Sequence, residues 1–422
     1  MGQHPDRTLD RMGQRIVVIG AGTAGARLAL RLKGRADVTL VGAEPHAPYN
    51  RVLLADVLAG RYGADITALP DPGPVLQDRV VRIDREARQV HLAATDPLAY
   101  DSLVLATGSN PVLPPLRGLT EGLPENVYAF RTMDDCLALD QVVREGARAV
   151  VIGGGLLGVL CARALAERGA QVVLAQQGEH LMERQLDAEA AELVREHLGL
   201  RGIEVHTECR VREVRTRQGR AVGVALADGY VLGADLIVLA CGVRPSTLLA
   251  REAGLDVRTG IVVDDELRTS DPAIHAIGDC AEHRGRTYGL ATPALEQADA
   301  LAGFLTDRSG TYEGTRALTR LTLTGQGSAA QGSTGQGSAG QLPLDLATFG
   351  DPSIREGDDV IRLTDATRRT YRKVVVRDDR LVGGVLLGEL GAVGALADAW
   401  HAAEPLPQDA SLHHLLTHDG GL

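Results

Sequence analysis

The first apolar run of the chain, "RIVVIG", carries Ile16 to Ile19 without a polar break and stops at glycine. Such a short continuous run is the pattern of a strand buried on both faces. Behind it, Ala26, Leu28, Ala29 and Leu32 recur at helical spacing, and "DVTLVGAE" predicts a second buried strand ending in Glu44. The same order of strand, glycine turn, helix and strand returns in "ARAVVIGGGLLGVLCARALAERGAQVVLAQ". Three further apolar runs, in "YDSLVLATGSNP", "ADLIVLACGVRPS" and "IHAIGDCAE", each break at a glycine turn. From about Arg316 the period changes to two, in "VIRLTD", "TYRKVVVRD" and "RLVGGVLLG", before a helix-like "AVGALADAWHAA". The pattern predicts an α/β protein with two parallel-sheet units and a small C-terminal α+β unit.

Composition narrows the functions open to that architecture. The 422 residues, 44% hydrophobic and 23% charged, are enough for two or three cores. A formal charge of −11 argues against binding nucleic acid or an anionic membrane through a general basic field. No run approaches the roughly 18 apolar residues that span a bilayer. The polar residues 1–14 lead straight into the glycine motif rather than to a cleavage site, so a cytoplasmic protein is expected. The cysteines (Cys136, Cys161, Cys209, Cys241 and Cys280) form no CxxC and show no metal-ligand spacing, which points to structural thiols in a reducing compartment and to no metal. His413, His414 and His418 have no companion acids and read as a solvated terminus, within a tail assigned to 401–422. "QGSAAQGSTGQGSAGQ", a five-residue repeat starting at Gln326, Gln331 and Gln336, cannot bury a core and reads as a flexible insert over 325–341. Deleting 326–340 is expected to leave the protein's activity intact, since surface insertions add little loop-closure free energy.

The glycines carry the candidate chemistry. Gly20, Gly22 and Gly25 form GxGxxG between strand and helix: the first for a tight turn, the second for close approach of a pyrophosphate, the third for helix–strand packing. Glu44 lies near the spacing of a carboxylate that accepts hydrogen bonds from a ribose. Gly153, Gly155 and Gly158 repeat the motif. One such motif is weak, whereas two in full strand–turn–helix–strand context point to two dinucleotides. Gly278 and Asp279 end another apolar strand, where an Asp can accept from a polyol chain; a plain Gly-Asp turn is the alternative.

Together these motifs resemble the two-domain FAD and NAD(P)H family of pyridine nucleotide oxidoreductases. The resemblance implies two Rossmann-like dinucleotide-binding domains. An FAD domain (15–118 and 245–315) is split around an NAD(P)H domain (119–244), with a C-terminal α+β domain at 316–400 and an N-terminal tail at 1–14. For FAD it implies Gly20, Gly22, Thr23, Ala24, Gly25, Glu44, Val80, Ala106, Thr107, Gly108, Gly278, Asp279, Thr292 and Pro293. For NADH or NADPH it implies Gly153, Gly155, Leu156, Leu157, Gly158, Gln176 and Gly242. "PYNRVLLADVLAG", "GGGLLGV", "LMERQLD", "ATPALEQA" and "VVVRDDRLVGGVLLGE" look like the flavin module of assimilatory nitrite reductase large subunits. They also look like the electron-transfer subunit of assimilatory nitrate reductase. In that subgroup "PYNR" borders the isoalloxazine, so Asn50 and Arg51 are the implied polar contacts of the flavin.

Departures sharpen the expected chemistry. The stretch "EPHAPYNRVLLADVLAG" holds no cysteine, so a dithiol relay beside the flavin, and with it a thiol-disulfide reductase or peroxide-type oxidase, is not expected. Related ferredoxin and rubredoxin reductases carry a Lys and a Glu where this chain has Asp56 and Leu160, so hydride transfer is expected to rest on stacking and positioning. Gln176 and Gln177 stand where an acid favours NADH and an Arg favours NADPH. No basic side chain lies within three residues of Gln176, which tilts the reading towards NADH. Siroheme and iron–sulfur ligands of a nitrite reductase are not among these residues, so the expected role is a reductase arm serving a separate protein acceptor. That acceptor is a nitrate or nitrite reductase catalytic subunit or an iron–sulfur carrier. A ferredoxin or rubredoxin reductase, and a flavin-binding redox sensor of poor turnover, are the alternatives.

Overall fold

A computed structural model describes residues 13–307, 309–323 and 344–406. The insert expected over 325–341 and the histidines His413, His414 and His418 lie outside the described residues.

Apolar strands bounded by glycine assemble into two five-stranded parallel sheets. The first has the order Ile274–Ala276, Ser102–Leu105, Arg15–Ile19, Asp37–Gly42 and Val75–Gln77. The second has the order Ile203–His206, Gln171–Ala175, Arg148–Ile152, Leu236–Leu239 and Val127–Ala129. Burial of the central strands on both faces explains their uninterrupted Val and Ile runs. The edge strand Ile274–Ala276 of the first sheet follows the whole second sheet in sequence, so the second unit is threaded through the first. Leu318–Leu323, Leu344–Gly350, Arg380–Leu387, Thr370–Arg377 and Asp359–Asp365 form a third, antiparallel sheet.

Five helices position the site: α1 (Thr23–Leu32), α2 (Leu54–Leu58), α3 (Met133–Val142), α4 (Leu156–Glu167) and α5 (Ala188–Gly199). The apolar face expected of α1 is the one it buries, with Ala26, Leu28, Ala29 and Leu32 in the core of the first unit. Two strand ends fall short of the sequence expectation. The strand before Glu44 stops at Gly42, and the strand before Gln176 stops at Ala175. The regular ladder ends there, although the Gln176 amide still donates to the His206 carbonyl at 2.8 Å and the Gly42 carbonyl accepts from the Asp78 amide at 3.1 Å.

The cores do not follow the two sheets. Helix α2 packs its Leu54, Val57 and Leu58 with Val159 and Leu165 of α4, and the same apolar cluster takes in Leu323, Leu344 and Tyr371 of the C-terminal sheet. All three units therefore meet in one hydrophobic junction.

Candidate active site

The two glycine turns are built to the same dimensions. Gly20 and Gly153 sit at φ 112° and 110°, a region that L side chains rarely adopt. A Cβ at Gly25 would lie 1.9 Å from the Gly20 carbonyl oxygen, and one at Gly158 would lie 1.8 Å from that of Gly153. The third glycine of each motif is thus demanded by contact of helix on turn. The middle glycines differ: a Cβ at Gly22 or Gly155 would meet nothing within 4 Å. These are the N-caps of α1 and α4, and neither offers a side chain to the first backbone N–H groups. Each turn therefore presents uncapped amides and the positive end of a helix to open space, the physical requirement for holding a pyrophosphate. Two dinucleotides fit two such cradles.

Around the first cradle the fold gathers most of the implied FAD residues. The Gly278 turn lies between α1 and the helix Ala291–Asp307, because a Cβ there would stand 3.1 Å from the Ala24 methyl and 4.0 Å from that of Ala294. The Gly278 amide donates to the buried Gln297 side chain at 2.7 Å. Ala106 closes over Gly20, while Thr107 donates to the Ser246 carbonyl at 2.8 Å. Val80 is buried at the start of its strand, and of the pair at the head of the Ala291 helix Pro293 is buried and Thr292 exposed.

Charged side chains link the stretch 44–60 to the Asp279 turn. Arg51 donates to Glu44 and, at 2.8 Å, to the Tyr49 hydroxyl, which itself donates to Glu44 at 2.6 Å. The Tyr49 oxygen also accepts from the Met133 amide at 2.8 Å. Arg51 reaches the Arg131 carbonyl at 3.2 Å, and the Arg131 guanidinium donates to Asp279 and to Ser109, both at 2.7 Å. Ser109 donates to Asp279 at 2.8 Å. Two partly buried ion pairs, Glu44–Arg51 and Arg131–Asp279, are thus joined through the Arg131 carbonyl along the cradle. Asn50 takes a local part, its side chain accepting from the Val52 amide at 3.1 Å.

Arg131, Ser109 and Tyr49 escaped the sequence reading. Arg131 had a signal: "RTMDD" is a capping box, in which Thr132 and Asp135 cap α3 reciprocally and Asp135 also accepts from the Arg131 amide at 2.9 Å. That box holds a cation at a helix start. Ser109 had none, because Asp279 lies 170 residues away, and the hydroxyl of Tyr49 takes in the distant Met133 amide beside its near neighbours Glu44 and Arg51.

At the second cradle Gln176 is engaged with protein. Its side-chain oxygen accepts from the Gly154 amide at 2.8 Å, and its nitrogen donates to the His180 carbonyl at 3.3 Å. Leu156 and Leu157 are half-buried on the first turn of α4, and Gly242 lies between the strands Leu236–Leu239 and Val243–Pro245 at φ 92° with open space beside it. Leu160 is buried, and Asp56 pairs with Arg163 and Arg61.

All five cysteines are free. Burial raises every one of the thiols, Cys241 to about 11 and Cys136 to about 12. None is a thiolate near neutral pH, so the cysteine-free flavin stretch is not compensated from elsewhere.

Residues 14–298 match the family model described as pyridine nucleotide-disulphide oxidoreductase, and residues 342–400 match that of the rubredoxin NAD+ reductase C-terminal domain. Over 392 residues the chain is 34% identical to the nitrite reductase [NAD(P)H] of Bacillus subtilis, covering 90% of this chain and 46% of the relative. It is also 34% identical over 391 residues to the assimilatory nitrate reductase electron transfer subunit of that organism, covering 89% of this chain and 48% of the relative. The chain spans about half the length of these relatives. Among solved structures, the putidaredoxin reductase–putidaredoxin complex matches with a TM-score of 0.81 at 25% identity, over 96% of this chain and 98% of that one. No described helix is long and apolar enough to cross a membrane. The chain belongs to the pyridine nucleotide-disulphide oxidoreductase family and is an FAD-dependent NAD(P)H oxidoreductase whose cysteines form no disulfide.

Proposed function

We propose that this chain draws electrons from NAD(P)H and passes them through FAD to a separate redox protein, with an assimilatory nitrate or nitrite reductase as the preferred acceptor. Bound FAD supplies the two-electron to one-electron conversion, accepting hydride and releasing electrons singly. The protein's part is to hold, orient and exclude water. The amides of Gly22, Thr23 and Ala24 would hold the FAD pyrophosphate, Glu44 the ribose, and Asp279, itself held by Arg131 and Ser109, the ribityl chain. Gly155, Leu156 and Leu157 receive NAD(P)H at the head of α4. Asn50 would border the isoalloxazine, while Tyr49 and Arg51, bonded to Glu44, would stand at the ribose end.

The observation that carries this reading is the pair of matching cradles together with five free thiols, none of them in a disulfide. Electrons leaving the flavin then have no disulfide to enter. The nitrate and nitrite assignment rests on relatives longer than this chain, and the "LMERQLD" run supports it. The match of 342–400 to a rubredoxin reductase domain favours the second reading, a reductase for a rubredoxin or ferredoxin.

Steady-state reduction of ferricyanide by NADH and by NADPH tests the chemistry, with turnover well above background and a preference for NADH expected. Background turnover with FAD fully bound would favour a redox sensor. Supplying purified nitrate reductase catalytic subunit, nitrite reductase, rubredoxin and ferredoxin in parallel tests the acceptor. Faster reduction of rubredoxin or ferredoxin than of either nitrogen-oxide reductase overturns the preferred assignment.

A further inference from the structure

Arg163 is the largest side chain buried to this degree, about 1% exposed, and it lies where the three units meet. It stands on α4, two turns beyond the glycine N-cap of that helix. Its guanidinium donates to Asp56 of α2 at 2.7 Å and to the Thr322 carbonyl of the C-terminal sheet at 3.1 Å. Arg61 closes the group, donating to Asp56 at 3.2 Å and to Glu167 of α4 at 2.6 Å. Asp56 and Glu167 thus meet Arg61 and Arg163 across the α2–α4 contact, with the charge of Arg201 also acting on Glu167. Helix α2 continues directly from the short turn Arg51–Leu53, so Asp56 lies on the same short stretch as Asn50. One end of the pair is therefore tied to the residues that border the flavin, and the other to the helix that receives the nicotinamide.

We infer that the Asp56–Arg163 ion pair is a positioning strut that sets the approach of nicotinamide to flavin by locking α2 against α4 and both against the C-terminal sheet. The inference rests on the proposed hydride transfer from NAD(P)H to FAD. Neither residue is a catalytic group; each acts through the helix that carries it. A planar guanidinium suits the task, since its donors reach two units at once and its charge is permanent. Small errors of ring placement are costly in rate, because a displacement of about 1 Å lowers hydride-transfer-type steps by as much as 100-fold.

The test uses full-length holoprotein with Asp56→Asn, Arg163→Met, the two combined, and Arg163→Lys. Anaerobic stopped-flow measurement of flavin reduction by NADH should show a fall of about tenfold or more for each single variant. The combined variant should fall no further, and Arg163→Lys should recover part of the rate. Flavin content and the rate at which ferricyanide reoxidises dithionite-reduced protein should stay unchanged. The long-wavelength absorbance that marks stacking of nicotinamide on flavin should weaken in step with the rate. Hydrogen exchange of the apoprotein should show lost protection in 54–58 and 156–167 together. Wild-type reduction rates with unaltered absorbance in the single variants would overturn the strut, as would additive losses in the combined variant. Arg163→Met can fail to fold, in which case Asp56→Asn and Arg163→Lys decide. If the wild-type flavin accepts nothing from NADH or NADPH, the proposed function fails by itself; exchange protection unchanged in the variants would then sink the strut separately.

Discussion

A single methyl group separates a working cradle from a blocked one at Gly158, where the nearest backbone atom would be 1.8 Å from the new Cβ. Helix and turn must part to admit it, and overpacking of that kind costs about 1–3 kcal/mol. Gly158→Ala is therefore expected to weaken NADH binding about tenfold or more while flavin content stays near that of the wild type, read by flavin absorbance and by titration with NADH. The cysteines give a second residue-scale expectation. Because burial raises all five thiols, alkylation of the native protein with iodoacetamide should be slow and should leave ferricyanide reduction unchanged. Rapid inactivation would point to a redox thiol. At this scale the sequence was most legible where geometry allows one residue type only, as at Gly20 and Gly153. It was least legible at Ser109, since a serine gives no local sign of a partner until Asp279 arrives from 170 residues away.

At the scale of elements, the "LMERQLD" run is a brace between units. Its first residues pack on the second glycine turn: a Cβ at Gly154 would stand 2.6 Å from the Leu181 side chain, and the Met182 amide donates to the Gly154 carbonyl at 2.9 Å. Its last residue, Asp187, caps α5 and accepts from Lys373 and Tyr371 of the C-terminal sheet, both at 2.8 Å. One of the two lysines in the chain is spent on this contact, with its side chain 4% exposed. Removing one partner of such a pair leaves a buried charge and typically costs about 3–5 kcal/mol, less here because Asp187 is partly solvated. Lys373→Met is expected to lower the unfolding midpoint by several degrees and to raise the KM for NADH through the loosened glycine turn. Thermal melts and steady-state kinetics check this, and an unchanged midpoint would remove the brace. The periodicity of "TYRKVVVRD" announced a strand, but nothing in it announced the unit its lysine would touch.

Across the whole molecule, buried histidines couple the stability of the fold to pH. His197 and His275 are buried, and burial lowers each to about 4 from an ordinary 6.5; at His197 the neighbouring Arg201 adds to this. The unfolded chain takes up these protons near pH 6.5 while the native state refuses them until about pH 4. Their stabilisation is therefore complete above pH 6.5 and declines as pH falls through that window, by at most about 3 kcal/mol for each histidine. Carboxylates held low by arginines, such as Asp299 at about 2 between Arg27 and Arg31, lose their contribution only at more acidic pH. Unfolding midpoints measured from pH 7.5 to 4 should fall below 6.5, and the slope should flatten in a His197→Gln, His275→Leu double variant. The order of buried strands, both glycine turns and the lack of a dithiol could be read from the linear chain, because a period, a turn or a missing residue type is a local property. Which helix α2 would pack on, where Lys373 would find its carboxylate and how Arg131 would join two distant turns were decided only in the tertiary structure. Those contacts join residues far apart in sequence, and a side chain gives no local sign of a partner it meets only when the units close on one core.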